Sequence, residues 1–183
     1  MSSARILILG VLAQRGPKHG YEIRQELESW NAEKWANIAY GSLYFALKSM
    51  AEEGLVQPVC SDATVQEASG KTIYEITESG KEEFKRLLRN QWWEIKPIID
   101  PFQVALTFMN MLPKEEIVLA LENRVRILKS IVDSMQHLTP LRMKETKAPR
   151  HISENFQLQI AHMNAEIAWI ESALEKVKKD QLP

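Results

Sequence analysis

The sequence predicts a mainly α-helical chain with one small β-hairpin. Three observations carry this. Before Gln91 the signals run helix, helix, helix, hairpin, helix. After Gln91 there is no Gly, and the helical pattern is punctuated by Pro97, Pro101, Pro113, Pro140 and Pro149. The final apolar stripe, Ile160, Met163, Ile167, Ile170, Leu174 and Val177, keeps a strict alternation of three- and four-residue steps, the seam of a coiled-coil contact. The change of character near Gln91 predicts two domains, 1–90 and 91–183.

The elements follow in order. Ser3 to Ala13 starts at a capping Ser and stops before Gly16-Pro17, the usual helix-ending pair. A second helix is predicted from His19 to Trp30, with Ile23, Leu27 and Trp30 on one face, followed by a polar loop carrying Trp35 and Ile38. The third, Gly41 to Glu53, places Leu43, Leu47 and Met50 on one stripe and ends at Gly54, which suits a left-handed cap. Leu55–Ser61 and Lys71–Thr77 read as strands flanking a polar hairpin tip, Asp62 to Gly70. Ser79-x-x-Glu82 matches a capping box for a helix carrying Phe84, Leu87, Leu88 and Trp92. That order is the arrangement of a winged helix-turn-helix.

In the second part, Asp100-Pro101 opens a short helix ending near Met111. Pro113 opens a longer one striped by Ile117, Leu121, Val125, Leu128, Val132 and Met135. A connection rich in Pro, Lys and Arg is predicted from Thr139 to His151, before the last helix.

Composition sets the outer bounds. The 183 residues are 45% hydrophobic and 26% charged, enough apolar material to exclude a disordered or collagen-like chain. Cys60 has no partner for an internal disulfide, which fits a reducing cytosol. The run from Ile6 to Leu12 is interrupted by Gly10 and is too short to span a bilayer. The four His residues (His19, His137, His151 and His162) lack zinc-ligand spacing, and no Gly-rich phosphate loop follows a strand. Neither catalysis nor a metal or other cofactor is therefore expected. Charge gives no bulk attraction to nucleic acid, since residues 1–90 hold 11 Lys+Arg against 12 Asp+Glu. DNA contact must come from placement.

With Leu43, Leu47 and Met50 inward, the third helix turns Ser42, Tyr44, Phe45, Lys48 and Ser49 outward. Hydroxyls and a Lys on that face can bond base edges or phosphates. Lys18-His19-Gly20-Tyr21 stands at a helix start, where backbone N–H groups and the helix dipole favour a phosphate. The same residues would equally serve as the solvated side of a surface helix. Trp92-Trp93 offers a candidate wall for a small aromatic effector, or a packing pair pointing roughly 100° apart.

Gly16-Pro17-Lys18-His19-Gly20-Tyr21-Glu22-Ile23, Gly41-Ser42-Leu43-Tyr44-x-Ala46-Leu47-Lys48, Glu53-Gly54-Leu55-Val56 and Tyr74-x-Ile76-Thr77-x-x-Gly80 resemble the PadR family of bacterial transcriptional regulators. Asp100-Pro101-Phe102, Leu112-Pro113-x-Glu115-Glu116 and Glu166-x-x-Trp169 are similar in layout to its longer subfamily, related to virulence-gene activators. The resemblance implies a cytoplasmic homodimer, most often a repressor, that binds an inverted-repeat operator in double-stranded DNA. It gives Ser42, Tyr44 and Lys48 the DNA-reading role, sets His19 and Tyr21 near phosphates, and maps the basic wing to Lys71 and Thr72. The 160–177 stripe is the expected dimerisation seam: the Ile117–Met135 helix of the same chain, antiparallel, is one expected partner, and the apolar surface that pair leaves argues for a second chain over a purely intramolecular bundle. Some relatives respond to aromatic compounds. Two positions depart from the family pattern: Phe45 replaces its usual Pro, and Thr72 replaces the second basic wing residue. The competing reading is a winged helix that binds protein partners instead of DNA.

Overall fold

A computed structural model describes residues 3–59, 72–95, 97, 99–146 and 151–182. The chain separates into two compact units, Met1–Pro97 and Ile98–Pro183.

In the first unit the elements are α1 (Ser3–Arg15), β1 (Lys18–His19), α2 (Gly20–Ser29), α3 (Ala32–Ala36), α4 (Gly41–Glu52), β2 (Val56–Pro58), β3 (Ile73–Ile76) and α5 (Glu78–Trp93). Apolar residues at helical spacing decide the packing. Ile8, Leu9, Val11 and Leu12 of α1 are fully buried beside Ile23 and Leu27 of α2, Leu43, Leu47 and Met50 of α4, Val56, and Leu87 of α5. The stripe expected on the third helix is the one that faces this core. Gly54 follows α4 with φ 72°, the left-handed turn expected there.

The sheet is antiparallel, with β3 central in the order β1-β3-β2. Val56 pairs with Ile76 and Pro58 with Tyr74 on one side; Lys18 pairs with Tyr74 and His19 with Ile73 on the other. The fold is thus mainly α-helical with a small hairpin, as the sequence predicts, and β1 is an additional strand. The pairing with β3 holds Lys18–His19 extended before the chain turns into α2. The expected hairpin tip, Asp62 to Gly70, lies outside the described residues, as do Cys60 and Lys71.

Two local expectations in this unit change. The predicted polar loop after α2 holds a short helix, α3, flanked by Asn31 and Asn37 in the left-handed region, which Asn tolerates. The cap of α5 is Thr77, not Ser79. The Thr77 hydroxyl oxygen accepts from Gly80 N at 3.0 Å and lies 2.7 Å from the Gly54 carbonyl, so one side chain starts the helix and ties it to the turn after α4.

The second unit contains α6 (Phe102–Thr107), a 3-10 turn (Met109–Met111), α7 (Lys114–Thr146) and α8 (His151–Lys178). Asp100 caps α6, its carboxylate accepting from Phe102 N at 2.9 Å. Ile117, Leu121 and Val132 of α7 are buried against Ile160, Ile167, Ile170, Leu174 and Val177 of α8. Ion pairs cross the same contact: Arg124–Glu166, Lys129–Glu171 at 2.7 Å, Glu122–Lys178 at 2.7 Å and Lys114–Asp180. The pair is antiparallel: Ile117 and Leu121, early in α7, cluster with Ile170, Leu174 and Val177, late in α8, while Val132 clusters with Ile160 and Ile167. The predicted connection from Thr139 is largely helix: α7 continues through Pro140 to Thr146. Thr139 is buried, so the packing of that turn holds the helix across a residue that cannot donate to it.

Candidate nucleic-acid interface

The two sequence blocks proposed for DNA contact meet in space. Gly20, the first residue of α2, has the ring of Tyr44 against it: a Cβ built on Gly20 would lie 3.0 Å from Tyr44 Cε1 and 3.4 Å from Leu47 Cδ2. A side chain at position 20 would push the tyrosine ring outward by a few tenths of an ångström. Tyr44 nevertheless remains 47% exposed, and Tyr21 is exposed beside His19, whose ring it stacks on at 5.4 Å between centroids. The Glu22 carboxylate accepts from His19 N at 2.7 Å, closing the first turn of α2. His19 Nδ1 is buried with no hydrogen-bond partner among the described residues.

Along α4, Ser42, Tyr44, Phe45 and Lys48 are exposed, and Ser49 is half-buried. Two hydroxyls are engaged within the chain: Ser42 Oγ donates to the Ala39 carbonyl at 2.7 Å, and Ser49 Oγ to Glu53 Oε1 at 2.9 Å. Glu53 also receives both terminal nitrogens of Arg5, at 2.7 and 2.5 Å, a bidentate contact that ties the end of α4 to α1. The Arg5 bonds, with help from Ser49, hold the Glu53 carboxyl at about 2, well below its ordinary range. Sequence reading missed this clamp and the Gly20 seat. Both join residues far apart in the chain, where periodicity carries no signal.

Thr72 is half-buried just before β3, while Lys71, its predicted partner in the wing, lies outside the described residues. Trp92 and Trp93 end α5 at 86% and 87% exposure, so neither ring is enclosed. The 160–177 stripe faces α7 of the same chain, the first partner expected for it. Ile160, Ile167, Ile170, Leu174 and Val177 are buried against α7 of the same chain, and Met163 packs at their edge. Among the described residues no group of His, Cys, Asp and Glu could hold a metal ion, and no helix is long and apolar enough to cross a membrane.

A helical core that displays the outer face of α4 beside a three-stranded sheet defines a winged helix-turn-helix DNA-binding unit. Residues 8–86 match the transcriptional regulator PadR-like family, so the first unit carries the domain of that family, whose members are transcription regulators and not enzymes. No curated protein matches the chain in sequence. Among solved structures, Bacillus subtilis PadR in complex with operator DNA is similar at 20% identity and TM-score 0.71, over 94% of this chain and 98% of that one. The same protein with p-coumaric acid is similar at 18% identity and TM-score 0.73, over 96% and 99%. The Vibrio cholerae virulence activator AphA is similar at 19% identity and TM-score 0.71, over 96% and 98%. At these identities the likeness is one of fold, and it extends through the helical second unit.

Proposed function

We propose that the chain is a homodimeric, sequence-specific repressor that binds an inverted-repeat operator in the cytoplasm. Residues 1–90 would be the DNA-binding domain and residues 91–183 the helical dimerisation domain. The observation that carries the reading is the seating of Tyr44 of α4 on Gly20 at the start of α2, next in the chain to the stacked His19 and Tyr21, with Tyr21, Tyr44 and Lys48 all exposed. Tyr44 and Lys48 read base edges from α4. His19 and Tyr21 sit at the start of α2, where the positive end of the helix dipole favours phosphate, although Glu22 already takes the His19 N–H there. Ser42 serves as an acceptor, because its proton is directed to Ala39. Thr72 and Lys71 would supply the wing contacts.

Polarisation titrations against duplexes from the chain's own promoter region, at two salt concentrations, test this. Selective binding that weakens with salt is the expected result. Tyr44→Ala and Lys48→Ala should each cost about 1–3 kcal/mol of operator affinity while leaving the oligomer intact. If both bind like the parent, the assigned reading face is wrong. If no duplex is retained, the protein-binding alternative replaces the DNA reading.

Trp92 and Trp93 are the candidate contact for a flat aromatic effector, a reading supported by the p-coumaric acid complex of Bacillus subtilis PadR and not by enclosure of the two rings. Melting temperatures of the parent and Trp93→Ala across a panel of such acids test it. A shift confined to the parent supports the site, and no shift in either removes it.

A further inference from the structure

Phe45 is the most exposed aromatic residue of the reading helix, at 78%. A phenyl ring gains nothing from water: leaving a side chain of this size exposed forgoes the stabilisation that burial would give. It is not part of the core of the first unit. At 100° per residue it stands on the side of α4 opposite Leu43, Leu47 and Met50, within the first half of the helix, between Ser42 at i−3 and Lys48 at i+3. The two serine hydroxyls on one flank of Phe45, Ser42 and Ser49, already donate within the chain. The centre of the face is thus apolar, with its cation one turn further on.

We propose that Phe45 reads the C5-methyl group of a thymine in the major groove and so sets a T preference at one position of each half-site. This rests on the reading of α4 as the DNA-facing helix. The chemistry follows from what the groove displays. Thymine alone of the four bases presents a methyl group there, and an apolar side chain recognises it by covering it. A phenyl ring offers no hydrogen bond to base edges, so it discriminates T from C by that methyl alone. Phosphate contacts are left to the polar residues of the site.

The test uses the full chain. A duplex is first recovered by iterative selection from a randomised 30-base-pair library, and each of its thymines is then replaced singly by deoxyuridine. That exchange deletes the methyl group and leaves base pairing unchanged. Affinities are measured for the parent, Phe45→Ala and Phe45→Leu. At one thymine per half-site the exchange should weaken the parent about three- to fivefold, the worth of one buried methyl. Phe45→Ala should bind the two duplexes equally, and Phe45→Leu should fall between. The salt slope of Phe45→Ala should match the parent's, because no phosphate contact is lost.

The inference is overturned if no exchange weakens the parent, or if every exchange weakens parent and Phe45→Ala by the same factor. It is also overturned if Phe45→Ala changes the sedimenting mass, which would place the ring in a protein contact. Failure of the selection step to enrich any duplex would instead remove the DNA reading itself, and this inference with it.

Discussion

Gly80 sits in the first turn of α5, where a Cβ would lie 2.0 Å from the Leu55 carbonyl oxygen and 2.8 Å from Ile76 Cγ1. The nearest atom is backbone, so no flexible side-chain end can yield. Leu55 O also accepts from Thr77 N at 3.1 Å, and displacing it loosens the capped start of α5 from the turn after α4. Gly80→Ala should therefore destabilise the first unit by about 1–3 kcal/mol, read as a lower urea midpoint. An unchanged midpoint would mean that the turn relaxes without cost. Glu53 makes a second prediction at this scale, through pH. Its carboxyl is held at about 2 against an ordinary value of 4.5, with the Arg5 bonds as the largest cause. A depressed acid stabilises the fold fully above its unfolded value and loses that contribution as pH falls through the folded one. The parent should thus exceed Glu53→Gln in melting temperature by a constant margin above pH 4.5, and the margin should shrink toward about pH 2. A margin that persists at the acid end would assign the effect to packing instead of charge.

At the level of elements, legibility followed from how local each signal was. The burial of Leu43, Leu47 and Met50 and the left-handed Gly54 were readable because a repeating apolar stripe and a terminal Gly both act within a turn or two. Strand β1 was not readable: two residues cannot show alternation, and only the distant β3 makes them a strand. The candidate site divides the same way. The outward positions of α4 followed from its stripe, but the seat of Tyr44 on Gly20 and the clamp of Arg5 on Glu53 depend on which helices become neighbours. Pro140 misled in the opposite sense, since its local preference to end a helix is overridden by the packing of Thr139 and the rest of the α7 stripe. That override has a cost: proline supplies no N–H for the Gln136 carbonyl and its ring crowds the preceding turn. Pro140 is itself exposed, so its removal forfeits little packing. Pro140→Ala should stabilise the second unit by about 1–2 kcal/mol, less than the full cost of an interior proline because the unfolded chain also becomes freer. Thermal melting followed by circular dichroism measures this, and a variant that melts earlier would show that the ring is needed where it stands.

The molecule as a whole depends on what covers the apolar surface of its second unit once α7 and α8 have satisfied each other. Ile127, Ile131, Leu138 and Leu141 remain exposed along a second face of α7, and Leu158 and Trp169 remain exposed on α8. Surfaces of this extent on long amphipathic helices suit a second copy better than water. Trp169 also meets Phe102 edge to face at 6.1 Å, so it is a poor probe of association alone. Ile131 and Leu158 are cleaner. We expect the double variant Ile131→Asp, Leu158→Asp to retain helical content, since both side chains are exposed, and to sediment as a monomer at micromolar concentration, where the parent is expected to sediment as the proposed dimer. Separating the copies should also change DNA binding in two linked ways. Without the second head held nearby, affinity for a two-half-site operator should fall about 10²- to 10⁴-fold. With ~2–4 phosphates neutralised per protomer, the log–log salt slope should drop from roughly −4 to −7 to about half that, because only one head now releases counterions. If the variant stays dimeric, the contact between copies lies on another face. If it is monomeric and keeps both the affinity and the slope of the parent, the two heads never acted together on one operator, and the spacing of about 34 Å between successive major-groove faces is not what the second unit sets.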